Sequence, residues 1–271
     1  MKPVLVYAVA GMSSRFNGKI KTLANVGPNN EPLIECSIKQ AIPTGFSKII
    51  FIVSEKTEKA FKDFFKNSYK GIPIEYAKQT FNPEERDSPW GTTDAICCAS
   101  HLINSNFIFC NGDDIYGEEA FNTLAIHLDK NPEQDAAPGY ILSNTFKETK
   151  KGNRAVFYID EDKNIKKIVE IADIEKHKYH EKNLSSDNLC SMNIWALTPK
   201  TLSLLNQQLQ KFREKNKGNR TAECKIATEL SNLLEQNRIN MKIYPTNTAT
   251  IGITYPEDIE IVRKKLQENA K

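Results

Sequence analysis

Three short stretches of this chain carry residues whose types and spacing could handle phosphate groups. In the first, an apolar run at residues 4–10 ends in Gly11, Met12, Ser13, Ser14 and Arg15, with Lys19 and Lys21 close behind. A small residue at a turn lets the backbone approach a phosphate, amides and serine hydroxyls donate to its oxygens, and Arg15 supplies a planar cation. The stretch reads as a triphosphate cradle built without a P-loop, because no GxxxxGK[ST] string is present. Any strand-to-helix turn tends to be rich in glycine and serine, so this turn alone does not decide the matter.

In the second stretch, Gln79 follows an apolar run, and residues 87–95, DSPWGTTDA, lead into a helical pattern. A helix start with a glycine that permits close approach suits a base edge or a phosphate. The plainer reading is capping by Thr92 or Thr93, with Trp90 as wall or core. In the third, the run 107–111 stops at Gly112, Asp113 and Asp114. Two carboxylates without a basic neighbour in sequence suit a hard divalent cation that bridges phosphate oxygens. Acids also occur at strand ends for structural reasons alone.

The elements that must position these residues follow from the pattern. Continuous β-favouring runs at 4–10, 49–53, 72–76 and 107–110 alternate with helical patterns at 32–41, 55–67 and 92–103. That alternation predicts an α/β, Rossmann-like, doubly wound fold: a mostly parallel mixed sheet with helices on both faces. Ligands then bind beyond the carboxyl ends of the strands, where all three stretches lie. After residue 131 a core strand is expected at 139–143, and 155–159 with 166–171 flank 160–164 like a hairpin, a small β insertion in the second half. A polar segment at 175–187 reads as a mobile loop. A strand at 189–197, helices near 199–215 and 222–236, a strand at 241–244 and a last helix from 256 complete the chain, treated as a single domain over 1–271.

Composition narrows the classes. The 37 basic and 34 acidic residues give a formal net charge of +3, with no basic field for nucleic acid. The run 4–10 is too short for a signal core or a membrane span, so no membrane partner is expected. Cys36, Cys97, Cys98, Cys110, Cys190 and Cys224 show no CxxC pairing and read as reduced core thiols of a cytoplasmic protein. His177 and His180 are spaced i, i+3, but no further ligand stands nearby for a zinc site. The basic stretch 211–220 reads as a helix end and its connection. The oligomeric state stays open.

The string AVAGMSSRF, then Lys21, then NVGPNNEPLIE, resembles the signature of the sugar-1-phosphate nucleotidyltransferases, a strand followed by AAGxGxR and a lysine. The resemblance implies that Arg15 and Lys21 are catalytic, holding the triphosphate and offsetting charge as pyrophosphate leaves. It implies nucleotide binding by Ala8, Ala10, Gly11, Met12, Ser13 and Ser14, with Ser13 replacing the usual glycine. Gln79, Gly91 and Thr92 match a base-reading Gln and GTxxA turn. Asp113 matches the aspartate that binds Mg²⁺, with Asp114 as second choice.

In the second half, Ile168, Val169 and Glu170 resemble a VE element whose glutamate binds sugar hydroxyls, although Ile171 stands where a lysine often follows. The string CSMNIW at 190–195 is similar to the strand lining the sugar pocket, with Ser191 or Asn193 as the polar contact. TIGITYPED at 250–258 is similar to a closing WxDxGTPED, with Gly252 where many members carry a second metal aspartate. Either another group such as Asp114, or water, then completes the shell, or the two-ligand arrangement does not apply.

The likeness runs from residue 4 to about 258 and divides the chain into a nucleotide-binding half, 1–131, and an acceptor-binding half, 132–271. It implies transfer from a nucleoside triphosphate to a phosphorylated small molecule. The favoured pair is UTP with glucose 1-phosphate or N-acetylglucosamine 1-phosphate. The alternatives are a cytidylyltransferase with a non-sugar phosphate acceptor, and a nucleotide-binding regulatory protein without turnover. A dinucleotide oxidoreductase is disfavoured by the missing GxGxxG.

Overall fold

The computed structural model describes residues 2–11, 16, 18–146, 151–248, 250–253 and 255–268. Its first half runs β1 (Val4–Ala8), α1 (Leu33–Ala41), β2 (Lys48–Val53), α2 (Glu55–Phe65), β3 (Ser68–Tyr69), β4 (Ile72–Lys78), α3 (Thr92–Cys98), β5 (Phe107–Asn111), β6 (Asp114–Ile115) and α4 (Glu118–Lys130). Its second half runs β7 (Asp135–Ile141), β8 (Gly152–Ile159), β9 (Ile165–Ile174), β10 (Leu189–Ser191), β11 (Ile194–Leu197), α5 (Pro199–Lys215), α6 (Ile226–Glu235), β12 (Met241–Thr246), β13 (Ile251–Gly252) and α7 (Asp258–Glu268).

Eleven strands form one mixed sheet in the order β3-β4-β2-β1-β5-β11-β7-β10-β8-β9, with β12 beside β7. Strands β4, β2, β1 and β5 are mutually parallel and make its centre. Along β1, Val4 and Val6 enter one apolar layer while Leu5 and Tyr7 enter the other. A strand covered on both faces needs such a continuous apolar run rather than alternation. Helices α1, α2 and α4 cover one face through Ile34, Ile38, Phe61, Phe65 and Phe121. Helices α3, α5 and α6 cover the other through Ile96, Leu205 and Leu230. The doubly wound α/β expectation therefore holds.

Several boundaries differ from the sequence expectation, for identifiable reasons. The helix expected over 92–103 ends at Cys98, and a tighter 3₁₀ turn at Ser100–Leu102 follows. Ala99 and Ile103 stay buried, so the apolar spacing reports burial that the tighter turn serves equally well. The strand expected at 139–143 starts at Asp135 and gives way to a 3₁₀ turn at Leu142–Thr145. The single strand expected at 189–197 is two, β10 and β11, broken at Asn193, whose φ is 62°. The helix expected from 222 begins at Ile226. Residues 222–225 are instead stapled to the turn before α3, Cys224 N donating to Trp90 O at 2.7 Å and Thr93 N to Cys224 O at 3.0 Å.

The hairpin is confirmed as β8 antiparallel to β9, its turn tied by Asn164 N donating to Asp160 Oδ1 at 2.8 Å. The segment 175–187 contains a 3₁₀ turn at Tyr179–Lys182 and buries Tyr179 and Leu184. It is anchored to the core rather than the free loop its polar composition suggests. Helix α7 returns to the first half, with Val262 packed among Phe16, Val26, Leu33 and Ile253, and Arg263 donating to Asn25 O at 2.9 Å. Among the described residues no helix is long and apolar enough to cross a membrane.

Candidate active site

A cavity of about 700 Å³ lies beyond the carboxyl ends of β1, β4 and β5. Its wall gathers Ala8, Ala10, Gly11, Lys21, Gln79, Gly91, Thr92, Asp113, Asp114, Glu170, Ser191 and Asn193. Every expected site residue that is described is thus brought to one place. Met12, Ser13, Ser14 and Arg15 lie outside the described residues.

On the side of β1 and β5, Gly112 donates to Ala8 O at 3.0 Å, and a Cβ on it would run into Val9 Cγ1. Only glycine lets the two strand ends approach so closely. The carboxylates have no basic neighbour in sequence, but the fold supplies one in space. Lys21, 92 residues earlier in sequence, donates its Nζ to Asp113 Oδ2. Asp114 pairs across β6 and β13 with Gly252, and a Cβ at 252 would overlap Asp114 Oδ1. The space beside the Gly252 backbone is therefore filled by the Asp114 carboxylate.

Burial, followed by the negative charge of Asp113, pushes the Asp114 carboxyl well above the usual range. Two adjacent carboxylates of this kind favour a bound cation. Asn111 Nδ2 donates to Asp114 Oδ2 at 3.4 Å, and Asn111 Oδ1 accepts from Asn193 Nδ2 at 2.7 Å. Asn193 Oδ1 in turn accepts from Trp195 Nε1 at 3.0 Å, and Asn193 N donates to Ser191 Oγ at 2.9 Å. These bonds fix the left-handed residue that breaks β10 from β11. They also connect Ser191 and Asn193 on the cavity wall to the carboxylates.

On the side of β4, Gln79 is buried and donates Nε2 to Asp94 Oδ2 at 2.7 Å and to Gly91 O at 3.2 Å. Gly91 has φ of 97°, and a Cβ there would stand 2.8 Å from Cys224 O. Thr92 is the first residue of α3 and not its cap, which is Gly91; its Oγ1 accepts from Ile226 N at 2.9 Å, at the start of α6. Trp90 does not line the cavity but packs against the core layer under α3, carrying the Arg86 guanidinium 3.4 Å above its ring and meeting Phe212 edge-on.

On the side of β8 and β9, Glu170 pairs with Lys225 at 3.4 Å. Arg154 also lines the cavity and donates to Thr145 O, Thr145 Oγ1 and Asn153 O. Neither cation was singled out in the sequence. Arg154 had a signal, a basic residue immediately before the apolar run 155–159 of β8, whereas Lys225 sits in a polar connection without a motif.

All six cysteines are free, and none lines the cavity. Burial pushes the Cys98 thiol up to about 11 and Cys224 up to about 12, so neither is a thiolate nucleophile near neutral pH. Among the described residues no group of three or more His, Cys, Asp or Glu could hold a metal. His177 and His180 form no such site, and Asp113 with Asp114 is a two-carboxylate arrangement.

The family model "Nucleotidyl transferase" matches residues 19–241, most of the chain. The chain belongs to this nucleotidyl transferase family. No curated protein matches it in sequence. Solved structures share the fold at low identity. A UDP-glucose pyrophosphorylase complexed with UDP-glucose superposes with a TM-score of 0.70 at 15% identity, covering 99% of this chain and 100% of that one. A putative glucose-1-phosphate thymidylyltransferase from Bacillus anthracis gives 0.72 at 14%, covering 98% and 95%. HddC from Yersinia pseudotuberculosis complexed with GMP-PN gives 0.59 at 16%, covering 98% and 99%. The described residues of the three motif stretches line the cavity that the fold leaves beyond the strand ends.

Proposed function

We propose that this nucleotidyltransferase joins UTP to a sugar 1-phosphate, glucose 1-phosphate or N-acetylglucosamine 1-phosphate, releasing pyrophosphate. The observation that carries the proposal is that one cavity is lined by Gln79 and Gly91, by a cation and two carboxylates at Lys21, Asp113 and Asp114, and by Glu170 and Ser191. That arrangement suits two phosphorylated ligands meeting at the carboxylates. The family and the UDP-glucose held by one structural neighbour agree with it.

In this reading Ala8, Ala10 and Gly11, with Met12, Ser13 and Ser14, cradle the triphosphate, and Gln79, Gly91 and Thr92 face the base. Glu170 accepts from acceptor hydroxyls, and Ser191 contributes a hydroxyl beside it. Asn193 holds the strand break on this side of the cavity, since its side chain is committed to Asn111 and Trp195. The acceptor phosphate attacks the α-phosphorus in line, so no protein nucleophile is needed. Arg15 and Lys21 offset the charge that builds on the departing pyrophosphate.

Asp113 and Asp114 fit a divalent cation, because they are neighbouring carboxylates at the cavity wall and Asp114 is buried beside the negative charge of Asp113. Mg²⁺ held there would supply charge neutralisation between phosphate oxygens. The six free thiols fit a reducing, cytoplasmic setting. The test is pyrophosphate release from a panel of nucleoside triphosphates and sugar 1-phosphates with Mg²⁺. Release with UTP and a hexose 1-phosphate is expected. Release only with CTP and a non-sugar phosphate would replace the reading, and no release with any pair would leave a binding protein.

A further inference from the structure

The base side of the cavity holds an ion pair that the transfer chemistry does not use. Asp94, in the first turn of α3, is 1% exposed, and its two oxygens have separate partners. Oδ2 accepts from Gln79 Nε2 at 2.7 Å, while Oδ1 accepts from the Arg213 guanidinium, which reaches in from α5. The neighbouring Arg86 is spent on the carbonyls of Ser88, Asn219 and Ala222 and on the face of Trp90, leaving Arg213 to pair with Asp94.

A carboxylate paired with a guanidinium offers acceptors only. It has to be met by the amide NH₂ of Gln79, because a turned amide would set two acceptor oxygens against each other. The second Nε2 hydrogen goes to Gly91 O at 3.2 Å. With both hydrogens used, the group that Gln79 can still offer a ligand is its carbonyl oxygen, Oε1.

We infer that Asp94 and Arg213 are positioning residues that lock Gln79 as a hydrogen-bond acceptor and so select a base with a ring N–H over one with a ring lone pair. Uracil and thymine present N3–H and guanine presents N1–H; cytosine N3 and adenine N1 present lone pairs. An Oε1 held in place rewards the first group and repels the second. The inference rests on the reading of Gln79 as the residue facing the base. An asparagine at 94 can present either its oxygen or its NH₂, so in Asp94→Asn the Gln79 amide is free to turn and offer a donor to cytosine.

The experiment measures calorimetric Kd values for UTP and CTP with Mg²⁺, and kcat/KM for both with whichever sugar 1-phosphate supports turnover. The proteins are the full chain and its Asp94→Asn, Arg213→Met and Arg213→Lys variants. The unsubstituted protein should favour UTP. In Asp94→Asn, and in Arg213→Met, which removes the partner that holds the Asp94 carboxylate against Gln79, the UTP-to-CTP ratio should fall at least about tenfold, equivalent to about 1.4 kcal/mol of discrimination. The fall should come through KM and Kd more than through kcat with UTP, and Arg213→Lys should keep most of the preference.

A ratio that stays the same in folded Asp94→Asn, or a natural preference for CTP, would overturn the lock. Should Asp94→Asn fail to fold, Arg213→Met decides alone, since the Arg213 side chain is 44% exposed. Selective UTP binding without turnover would sink the transferase reading and leave the lock standing. Turnover with an unchanged ratio in the variants does the reverse.

Discussion

Replacing Lys21 by alanine separates the proposed chemistry from folding. The lysine is 20% and its partner Asp113 29% exposed, at the wall of a water-accessible cavity. Solvent screening there limits what the pair adds to stability to about 1 kcal/mol, a melting shift of only ~2–4 °C for a chain of this size. The same ammonium is placed to offset charge on the departing pyrophosphate. Loss of one such charged donor costs about 100- to 1000-fold in kcat. Lys21→Ala should therefore melt close to the parent while pyrophosphate release falls by two to three orders of magnitude. Coupled-enzyme detection of pyrophosphate at saturating substrates, with a thermal melt on the same preparation, reads both. Turnover within about threefold of the parent would remove Lys21 from the mechanism. A melting drop beyond about 10 °C would show that the residue works through the fold instead.

Other substitutions probe other walls of the cavity. Gly252→Ala drives a methyl into Asp114 Oδ1, so the Mg²⁺ concentration for half-activation should rise, with a stability loss of about 1–3 kcal/mol; an unchanged Mg²⁺ titration would take Asp114 out of the cation site. Gly91→Ala combines a φ of 97° with a 2.8 Å approach to Cys224 O. It should cost about 2 kcal/mol or more in a urea melt, and a neutral result would refute the close junction between this turn and residues 222–225. Glu170→Gln breaks the pair with Lys225 and should raise the acceptor KM roughly tenfold, whereas an equal rise in the nucleotide KM would assign Glu170 to the other ligand.

Asp135 supplies a pH test. Burial lifts its carboxyl to about 7, despite hydrogen bonds from Thr201 Oγ1 and Thr198 N. A raised folded value means that its contribution to stability is full below the unfolded value of roughly 4 and is lost as pH rises through about 7. The melting temperature of the parent relative to Asp135→Asn should therefore fall between pH 5 and pH 8. A difference independent of pH would contradict it.

The parallel centre of the sheet is legible in the sequence because burial on both faces writes itself as unbroken apolar runs, as in β1, β2 and β5. The motifs were legible because they sit where those runs stop. What escaped depends on partners far along the chain. The break between β10 and β11 is held by Asn111, 82 residues from Asn193, and CSMNIWAL carries no local mark of it. The start of α6 is delayed because residues 222–225 are claimed by Trp90 and Thr93 across the cavity. Helix α4 was not singled out, although its Phe121, Leu124 and Leu128 follow helical spacing. Gln79 was found by its motif, but its orientation is set by Asp94 and Arg213, neither of which a motif marks.

³¹P NMR of the full chain with UTP, glucose 1-phosphate and Mg²⁺ follows transfer of the nucleotidyl group from the triphosphate to the sugar phosphate. The triphosphate and phosphomonoester resonances should decline together while a diphosphate-diester pair and free pyrophosphate grow in equal amounts. Persistence of both substrates across the nucleotide and sugar-phosphate panel, or release of orthophosphate without a diester, would contradict it.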